Sequence, residues 1–234
     1  MAEQRVARKT VQQSDPLFSL GVHIITWAKA HLTLLLYGVA GAVALLAVAF
    51  GWSAWQQHHT QAAEGKLYEA LKLLQARPPQ RSQALTQLQE LVRNYGNTTA
   101  AATAYWHMGH EHFEEAGYSA ALEAYKQAQQ RFQKIAQPLM LAFATLHVAY
   151  AQEASGTCDP EAVISFEAVL HSPASWLRGE AYAGIGRCYE TTGAPQKAVT
   201  VYERALRDQD VSDNARQLIA ERLALLQPVK KEQG

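Results

Sequence analysis

The longest apolar stretch of the chain runs from residue 32 to residue 52, LTLLLYGVAGAVALLAVAFGW, and contains no charged residue. As a helix this stretch would be about 31 Å long, which matches the roughly 30 Å hydrocarbon core of a bilayer. Trp27 lies before the stretch and Trp52 and Trp55 lie at its far end, and indole rings favour the interface between membrane and water. The pattern predicts a transmembrane helix over 32–55, with these three tryptophans as interface anchors.

Apolar residues also precede the span, but polar residues interrupt them. Residues 17–31 read LFSLGVHIITWAKAH and are too polar for a second span. We predict an amphipathic segment on the cytoplasmic membrane surface, and the alternative is that these residues extend the membrane helix inward. Residues 1–16 are predicted to form a disordered cytoplasmic tail, and residues 228–234 a short polar tail.

Basic residues are distributed unequally about the span. Before it come Arg5, Arg8, Lys9 and Lys29, whereas the twenty residues after it hold only Lys66 and Lys72. Since cytoplasmic flanks carry the excess of Lys and Arg, we expect a single-pass protein of the bacterial inner membrane. Its N-terminus would be cytoplasmic and its C-terminal domain periplasmic.

A cleaved signal peptide is the alternative to a retained anchor. The triplet 47–49, Ala-Val-Ala, resembles a cleavage site. The region before the apolar run would be about 30 residues long, which exceeds the usual length of a signal peptide before cleavage. The apolar run also continues past the triplet, so a retained anchor is favoured.

After the span, apolar residues recur with helical spacing. Residues 179–209 contain two such faces, separated by Gly193, a residue typical of a helix end. Gly186 and Ala198 are small and are placed where two paired helices would cross closely, and Tyr189 and Tyr202 would fill the space around the crossing. This spacing resembles the tetratricopeptide repeat, which implies a helical hairpin that stacks on its neighbours.

Three earlier stretches repeat the pattern less completely, at 62–95, 102–133 and 139–171. Their second helices and that of 179–209 align through four alanines, Ala84, Ala121, Ala162 and Ala198. In the second unit Gly109 and Tyr125 take the small and large positions. In the third unit His147 replaces the usual small residue, so we expect looser packing there. In the degenerate first unit Tyr68 and Leu71 are predicted to lie in the first helix.

The expected fold is all-α. A single N-terminal transmembrane helix is followed over 56–227 by a tetratricopeptide-like solenoid of helical hairpins, with about four repeats. Residues 212–226 form an amphipathic helix that would cap the last repeat, because its core would otherwise be exposed. The alternative is a plain helical bundle without a groove.

Composition narrows the function further. The 21 basic and 21 acidic residues balance, so nucleic acid is not an expected partner. The two cysteines, Cys158 and Cys188, have neither a CxxC nor a zinc-binding spacing. We expect two unpaired thiols, and the alternative is a disulfide formed in an oxidising compartment.

One helix face carries residues of the metal-binding types. His107, His110, Glu111 and Glu114 share it, but the pattern is not the HExxH of metalloproteases. A solvated polar face is the favoured interpretation. The chain has no nucleophile elbow, P-loop or dinucleotide-binding motif. We predict no enzymatic activity, no catalytic residue, no metal site and no cofactor.

The concave side of the repeats is the stronger candidate for function. The first helices would present Trp106, His110 and Phe113 from the second unit, and Arg187 and Glu190 from the fourth. Exposed aromatic rings in a concavity suit apolar peptide segments. Capture of a C-terminal carboxylate is not predicted, because only Arg187 would serve it. The alternative is that Trp106 and Phe113 pack against a neighbouring repeat.

The segment that leaves the span, GWSAWQQHHTQAAEGKLYEALKLL, resembles the stretch joining span to first repeat in the YfgM-like family, the ancillary subunits of the bacterial Sec translocon. The resemblance implies a periplasmic domain near the translocon exit. Its partners would be translocon subunits, periplasmic chaperones and exported polypeptides, and the span would contact membrane lipid. An envelope-organising repeat protein, acting in cell division or outer-membrane assembly, is the alternative.

Overall fold

The computed structural model describes residues 25–227. The two predicted tails and residues 17–24 of the predicted amphipathic segment lie outside the described residues. The chain divides into two compact units, Met1–Gln57 and His58–Gly234. Among residues 25–227 every regular element is helical and no strand occurs. The all-α prediction is confirmed.

The first unit contains most of a long apolar helix, α1 (Leu32–Gln75). Its most apolar window has a mean hydropathy of 2.3 and no buried residue, so by length and composition it is a candidate membrane span. The Trp27 ring, before the start of α1, stacks on His31 at 4.9 Å, and the Trp52 ring, within α1, lies 5.4 Å from that of Trp55.

The second unit holds the rest of α1 and eight further α-helices within the described residues. They are α2 (Arg81–Asn94), α3 (Thr99–Glu114), α4 (Tyr118–Lys134), α5 (Pro138–Ala154), α6 (Val163–Leu170), α7 (Arg178–Thr191), α8 (Pro195–Arg207) and α9 (Asp213–Leu226). Local sequence marks their starts: the Thr98 side chain caps α3 and Ser212 caps α9, while Pro138 and Pro195 occupy first turns.

Each helix from α2 onward packs against the next along the chain. The hairpins α3–α4, α5–α6 and α7–α8 are the second, third and fourth repeats, and α9 covers the last. The first repeat pairs the end of α1 with α2 through a shared core that includes Ala63, Ala70, Leu88 and Leu91. The predicted tetratricopeptide-like arrangement of hairpins is confirmed.

Close helix crossings occur where the sequence places glycine opposite tyrosine. Tyr125 and Tyr202 are each 1% exposed, over Gly109 and Gly186 respectively. A Cβ atom added at Gly109 would lie 2.6 Å from Cδ1 of Tyr125. Only a residue without a side chain therefore lets the ring lie against the helix backbone.

In the first repeat Tyr68 and Leu71 lie in α1, as predicted. Tyr68 is 70% exposed, whereas Ala63, Leu67 and Ala70 contribute to the core. These three residues share one helix face because they are spaced four and three apart, and Tyr68 lies beside that face. Leu71 is half-buried.

The turn of the third repeat contains a short π-helix, Cys158–Ala162, which leads directly into α6. It packs against α7 and forms a disulfide between Cys158 and Cys188, whose Cα atoms are 5.1 Å apart. The expectation of two free thiols is wrong. The wide turn brings Cys158, itself buried, against the first helix of the next repeat, and sequence spacing alone does not show this proximity.

Candidate functional site

Aromatic side chains accumulate where the first helices of the second and third repeats meet. The Trp106 ring stacks on His110 at 5.6 Å with an interplanar angle of 3°. It also contacts two rings of α5, Phe143 at 5.3 Å and His147 at 5.1 Å. Trp106 is half-buried, and its Nε1 is enclosed without a hydrogen-bond partner. The indole therefore packs against the neighbouring repeat and does not present an exposed surface.

His147, at the position where the second and fourth repeats have glycine, forms the centre of this cluster. Its Nδ1 lies 2.9 Å from the carbonyl oxygen of Phe143, so the Nδ1–H donates to that oxygen. Burial lowers the pKa of His147, which leaves the ring neutral at pH 7. The ring lies 5.2 Å from Tyr125 and 6.0 Å from Tyr150.

Beside His147 lies a cavity of about 160 Å³, which is open on one side. We call it the aromatic pocket. Its lining comprises two imidazoles, two phenols, one phenyl ring and one carboxylate: His110, Phe113, Glu114, Tyr125, His147 and Tyr150. It lies where the sequence predicted loose packing around His147.

The two phenols of the aromatic pocket differ in their partners. The Tyr150 hydroxyl donates to Glu180 Oε2 at 2.7 Å, whereas the Tyr125 hydroxyl makes no hydrogen bond to any described residue. Burial, and then the charge of Glu114, raises the pKa of Tyr125. Burial and the bond to Glu180 do the same for Tyr150. Both hydroxyls thus stay protonated at neutral pH.

Arg187 and Glu190, the predicted groove residues of the fourth repeat, form ion pairs with other residues of the same chain. Nε and Nη2 of Arg187 donate to the two carboxylate oxygens of Glu153 at 2.7 and 2.8 Å. Hydrogen bonding to Glu153 raises the pKa of Arg187. Glu190 accepts a hydrogen bond from the Tyr202 hydroxyl and one from Arg222 Nη1 at 3.0 Å.

The second and fourth repeats therefore use equivalent positions differently. His110 and Phe113 occupy in α3 the places that Arg187 and Glu190 occupy in α7, relative to Gly109 and Gly186. In the fourth repeat these side chains form ion pairs and satisfy the tyrosine hydroxyl. In the second repeat they are aromatic rings, which leave the equivalent hydroxyl of Tyr125 unpaired and the space before it open.

A second cavity, of about 340 Å³, lies between α7 and the capping helix. Glu180 and Ala183 line it from α7, and Leu218, which is 53% exposed, lines it from α9. Because Glu180 accepts the hydrogen bond from Tyr150, one hydrogen bond joins the linings of the two cavities. We call it the capping cavity.

The His and Glu residues of α3 that are of metal-binding type lie in separate environments. Glu111 is buried, and its Oε2 lies 3.2 Å from Arg81 Nε, close enough for an ion pair without hydrogen-bond alignment. His107 contacts the edge of Trp106, and Glu114 lines the aromatic pocket. Within the part of the chain that the structure describes, no three His, Cys, Asp or Glu side chains are grouped to hold a metal ion.

Sequence reasoning identified three residues of this region, Trp106, His110 and Phe113, but missed Glu114, Tyr125 and Tyr150 as one lining. The sequence pattern predicts a helix-crossing position for Tyr125 and a solvated face for Glu114. The second and fourth repeats differ in sequence at Phe113 and the equivalent Glu190. A carboxylate accepts a hydrogen bond from the tyrosine hydroxyl, whereas a phenyl ring leaves that hydroxyl without an acceptor.

Comparison with known proteins supports this arrangement of helices. A family model described as a tetratricopeptide repeat-like domain matches residues 26–227. No curated protein matches the chain.

Proposed function

The chain belongs to the tetratricopeptide repeat-like domain family, and on that basis we propose that it is a membrane-anchored scaffold that binds segments of other proteins in its aromatic pocket. The observation that carries the proposal is the contrast between repeats. The fourth repeat closes its first-helix surface with its own ion pairs, whereas the second leaves a cavity and an unpaired hydroxyl. Rigid aromatic walls around an open recess are typical of protein-binding hot spots.

The proposed location is the bacterial inner membrane, with the N-terminus in the cytoplasm and residues 58–227 in the periplasm. The excess of Lys and Arg before the span supports this orientation. The disulfide between Cys158 and Cys188 supports it independently, because disulfides persist in oxidising compartments and are rare in the cytosol.

The proposed partners follow from the resemblance to the YfgM-like family. They are subunits of the Sec translocon, periplasmic chaperones and exported polypeptides that pass near the repeats. The alternative partners are those of an envelope-organising protein, namely division or outer-membrane assembly factors. The anchor would contact membrane lipid in either case.

Site-specific crosslinking tests the proposal. A photoreactive amino acid replaces Phe113 in the full-length protein in its native membranes. The matched control replaces Ile164, which is 60% exposed on the second helix of the third repeat and does not line either cavity. We expect adducts with translocon subunits, chaperones or exported chains from position 113 only. Equal adducts from both positions, or none from 113, would contradict a binding role for the pocket.

Two further measurements test orientation. Protease added to intact spheroplasts should degrade the repeat domain, and alkylation of proteins taken directly from cells should find Cys158 and Cys188 oxidised. A protected domain with both thiols alkylated would place it in the cytoplasm. Recovery of outer-membrane assembly or division factors from position 113 would favour the envelope-organising alternative.

A further inference from the structure

We propose that the aromatic pocket binds one basic side chain, lysine or arginine, from an extended segment of the partner polypeptide. The inference rests on the proposed scaffold function and specifies what the pocket selects. It follows from three features of the pocket: the orientation of its rings, the position of its one carboxylate, and the cavity next to it.

Ring orientation suits a cation. The planes of His147 and Tyr125 are inclined by 50°, and those of His147 and Tyr150 by 88°. Successive rings therefore present faces in different directions around one space. A cation within about 6 Å of such faces is attracted by the negative charge density above each ring. The chain already uses this contact elsewhere, with the Arg131 guanidinium 4.3 Å from the centre of the Tyr105 ring.

Glu114 is the one carboxylate in the lining of the aromatic pocket, and no described Lys or Arg lines it. Glu114 is exposed in the lining and forms no ion pair with any described residue. Its carboxylate lies at the C-terminal end of α3, where the helix dipole disfavours negative charge. The neighbouring cation Arg187 lies 5.9 Å from the centre of the Tyr150 ring and is paired with Glu153. A basic side chain would thus find an unpaired carboxylate at the entrance and aromatic rings within.

The fourth repeat shows what closes such a recess. There Glu190 accepts the Tyr202 hydroxyl and pairs with Arg222 of the capping helix. A basic side chain from the same molecule thus already reaches the equivalent place beside a tyrosine. In the second repeat no described basic side chain does so, and the partner's lysine or arginine would take that position.

The neighbouring capping cavity indicates that the occupant is a polypeptide rather than a small cation. It shares the Tyr150–Glu180 hydrogen bond with the aromatic pocket and presents the exposed side chain of Leu218. In the proposed complex, an extended segment has a basic residue in the aromatic pocket and an apolar residue over Leu218. A small cation would use only the first cavity.

The test measures binding of short labelled peptides to the full-length protein in detergent micelles. The peptides alternate leucine and glycine and differ at one central position, which holds lysine, arginine, glutamine or glutamate. We expect the lysine and arginine peptides to bind roughly tenfold more tightly than the glutamine peptide, and the glutamate peptide to bind most weakly. Raising the ionic strength should reduce the advantage of the basic peptides.

Variants assign the effect to the pocket. Glu114→Gln should reduce the preference for lysine over glutamine about threefold. The matched control is Glu115→Gln, which removes the same charge from the adjacent exposed residue outside the pocket and should leave the preference unchanged. Phe113→Leu keeps an apolar side chain but removes one ring face, and it should also reduce the preference. Circular dichroism confirms that each variant is folded.

Three results would overturn the inference: no preference for basic peptides, a preference that Glu114→Gln and Glu115→Gln reduce equally, or binding of a small alkylguanidinium as tight as that of the arginine peptide. Each of these leaves crosslinking from position 113 as the separate test of the scaffold function. A pocket that crosslinks to partners but ignores the central residue would retain that function and lose the specificity proposed here.

Discussion

Single residues determine how closely the paired helices approach. Gly109 lies beneath the ring of Tyr125, whereas Gly65, in the exposed part of α1 that belongs to the second unit, has no atom within 4 Å of an added Cβ. The two glycines are chemically identical and both helical. They differ only in what surrounds them, so the same substitution should have opposite effects at the two positions.

We predict that Gly109→Ala lowers the free energy of unfolding by about 2 kcal/mol, because the added methyl group would force Tyr125 away from the helix. Gly65→Ala should raise it by about 0.5–1 kcal/mol, since alanine favours the helix and meets no neighbour. Thermal unfolding of both variants, followed by circular dichroism, measures the difference. Stabilisation by both substitutions would show that the crossing has room for a side chain.

Histidine burial makes stability depend on pH. Burial, and then the nearby charge of His110, lowers the pKa of His107 from the ordinary value of 6.5 to about 4. The unfolded chain therefore binds a proton more readily than the folded one between these values. The stabilisation is complete above about pH 6.5 and is lost as the pH falls towards 4.

We expect the folded protein to lose about 2 kcal/mol from His107 over this range, after allowance for the part of the ring that water still reaches. His107→Gln should flatten the pH dependence of the unfolding midpoint between pH 7 and 4 by about that amount. His171→Gln, at an exposed position, is the control. A curve for His107→Gln that parallels the unmodified protein would contradict the assignment.

At the residue scale, the sequence predicts which side chains lie at helix crossings better than it predicts which other residues they contact. The small and large positions Gly109, Tyr125, Gly186 and Tyr202 are readable because helix crossings demand them. His147 predicts loose packing beside Tyr125, but which side chains line the resulting cavity depends on how α5 of the next repeat packs against α3. The same packing brings Trp106 against Phe143 and His147.

The elements of the fold follow the sequence except at the third turn. Thr98 caps the start of α3, Gly193 follows the end of α7, and Pro195 lies in the first turn of α8. The π-helix Cys158–Ala162 is not readable in this way, because it depends on how the extra residues of the turn pack against α7. The disulfide was missed for the same reason.

The disulfide should stabilise the third and fourth repeats together. Its cysteines are 30 residues apart in sequence, and closing a loop of that length reduces the entropy of the unfolded chain by the equivalent of about 3.5 kcal/mol. We predict that Cys158→Ser, Cys188→Ser and the double variant lose similar stability, each by up to that amount. Unfolding midpoints with and without a reducing agent measure it, and a reducing agent should have no further effect on the variants.

At the scale of the whole molecule, the candidate span and the repeats differ in how their apolar residues are distributed. The span is uniformly apolar and has no buried residue, whereas the repeat helices are apolar on one face. Composition and periodicity therefore predict both. The orientation, compartment and partners depend on surroundings outside the molecule and stay proposals.

A charge in the middle of the candidate span should prevent stable insertion. We predict that Val43→Lys, at an exposed apolar position of α1, costs about 3 kcal/mol of insertion free energy. Extraction of membranes at alkaline pH should release more of this variant than of the control Val43→Leu. Equal retention of the two would argue that this helix does not cross the bilayer at residue 43.

The bond between Cys158 and Cys188 also affects how the chain can be dismantled from its C-terminal end. A protease or unfoldase that grips the terminus would unravel α9 and α8 one after the other, because each contacts mainly its neighbours. At Cys188 it would reach the loop that the disulfide closes, and it would have to translocate two segments of the chain at once. Degradation by such machines should therefore pause there, leaving a fragment that retains the second repeat intact.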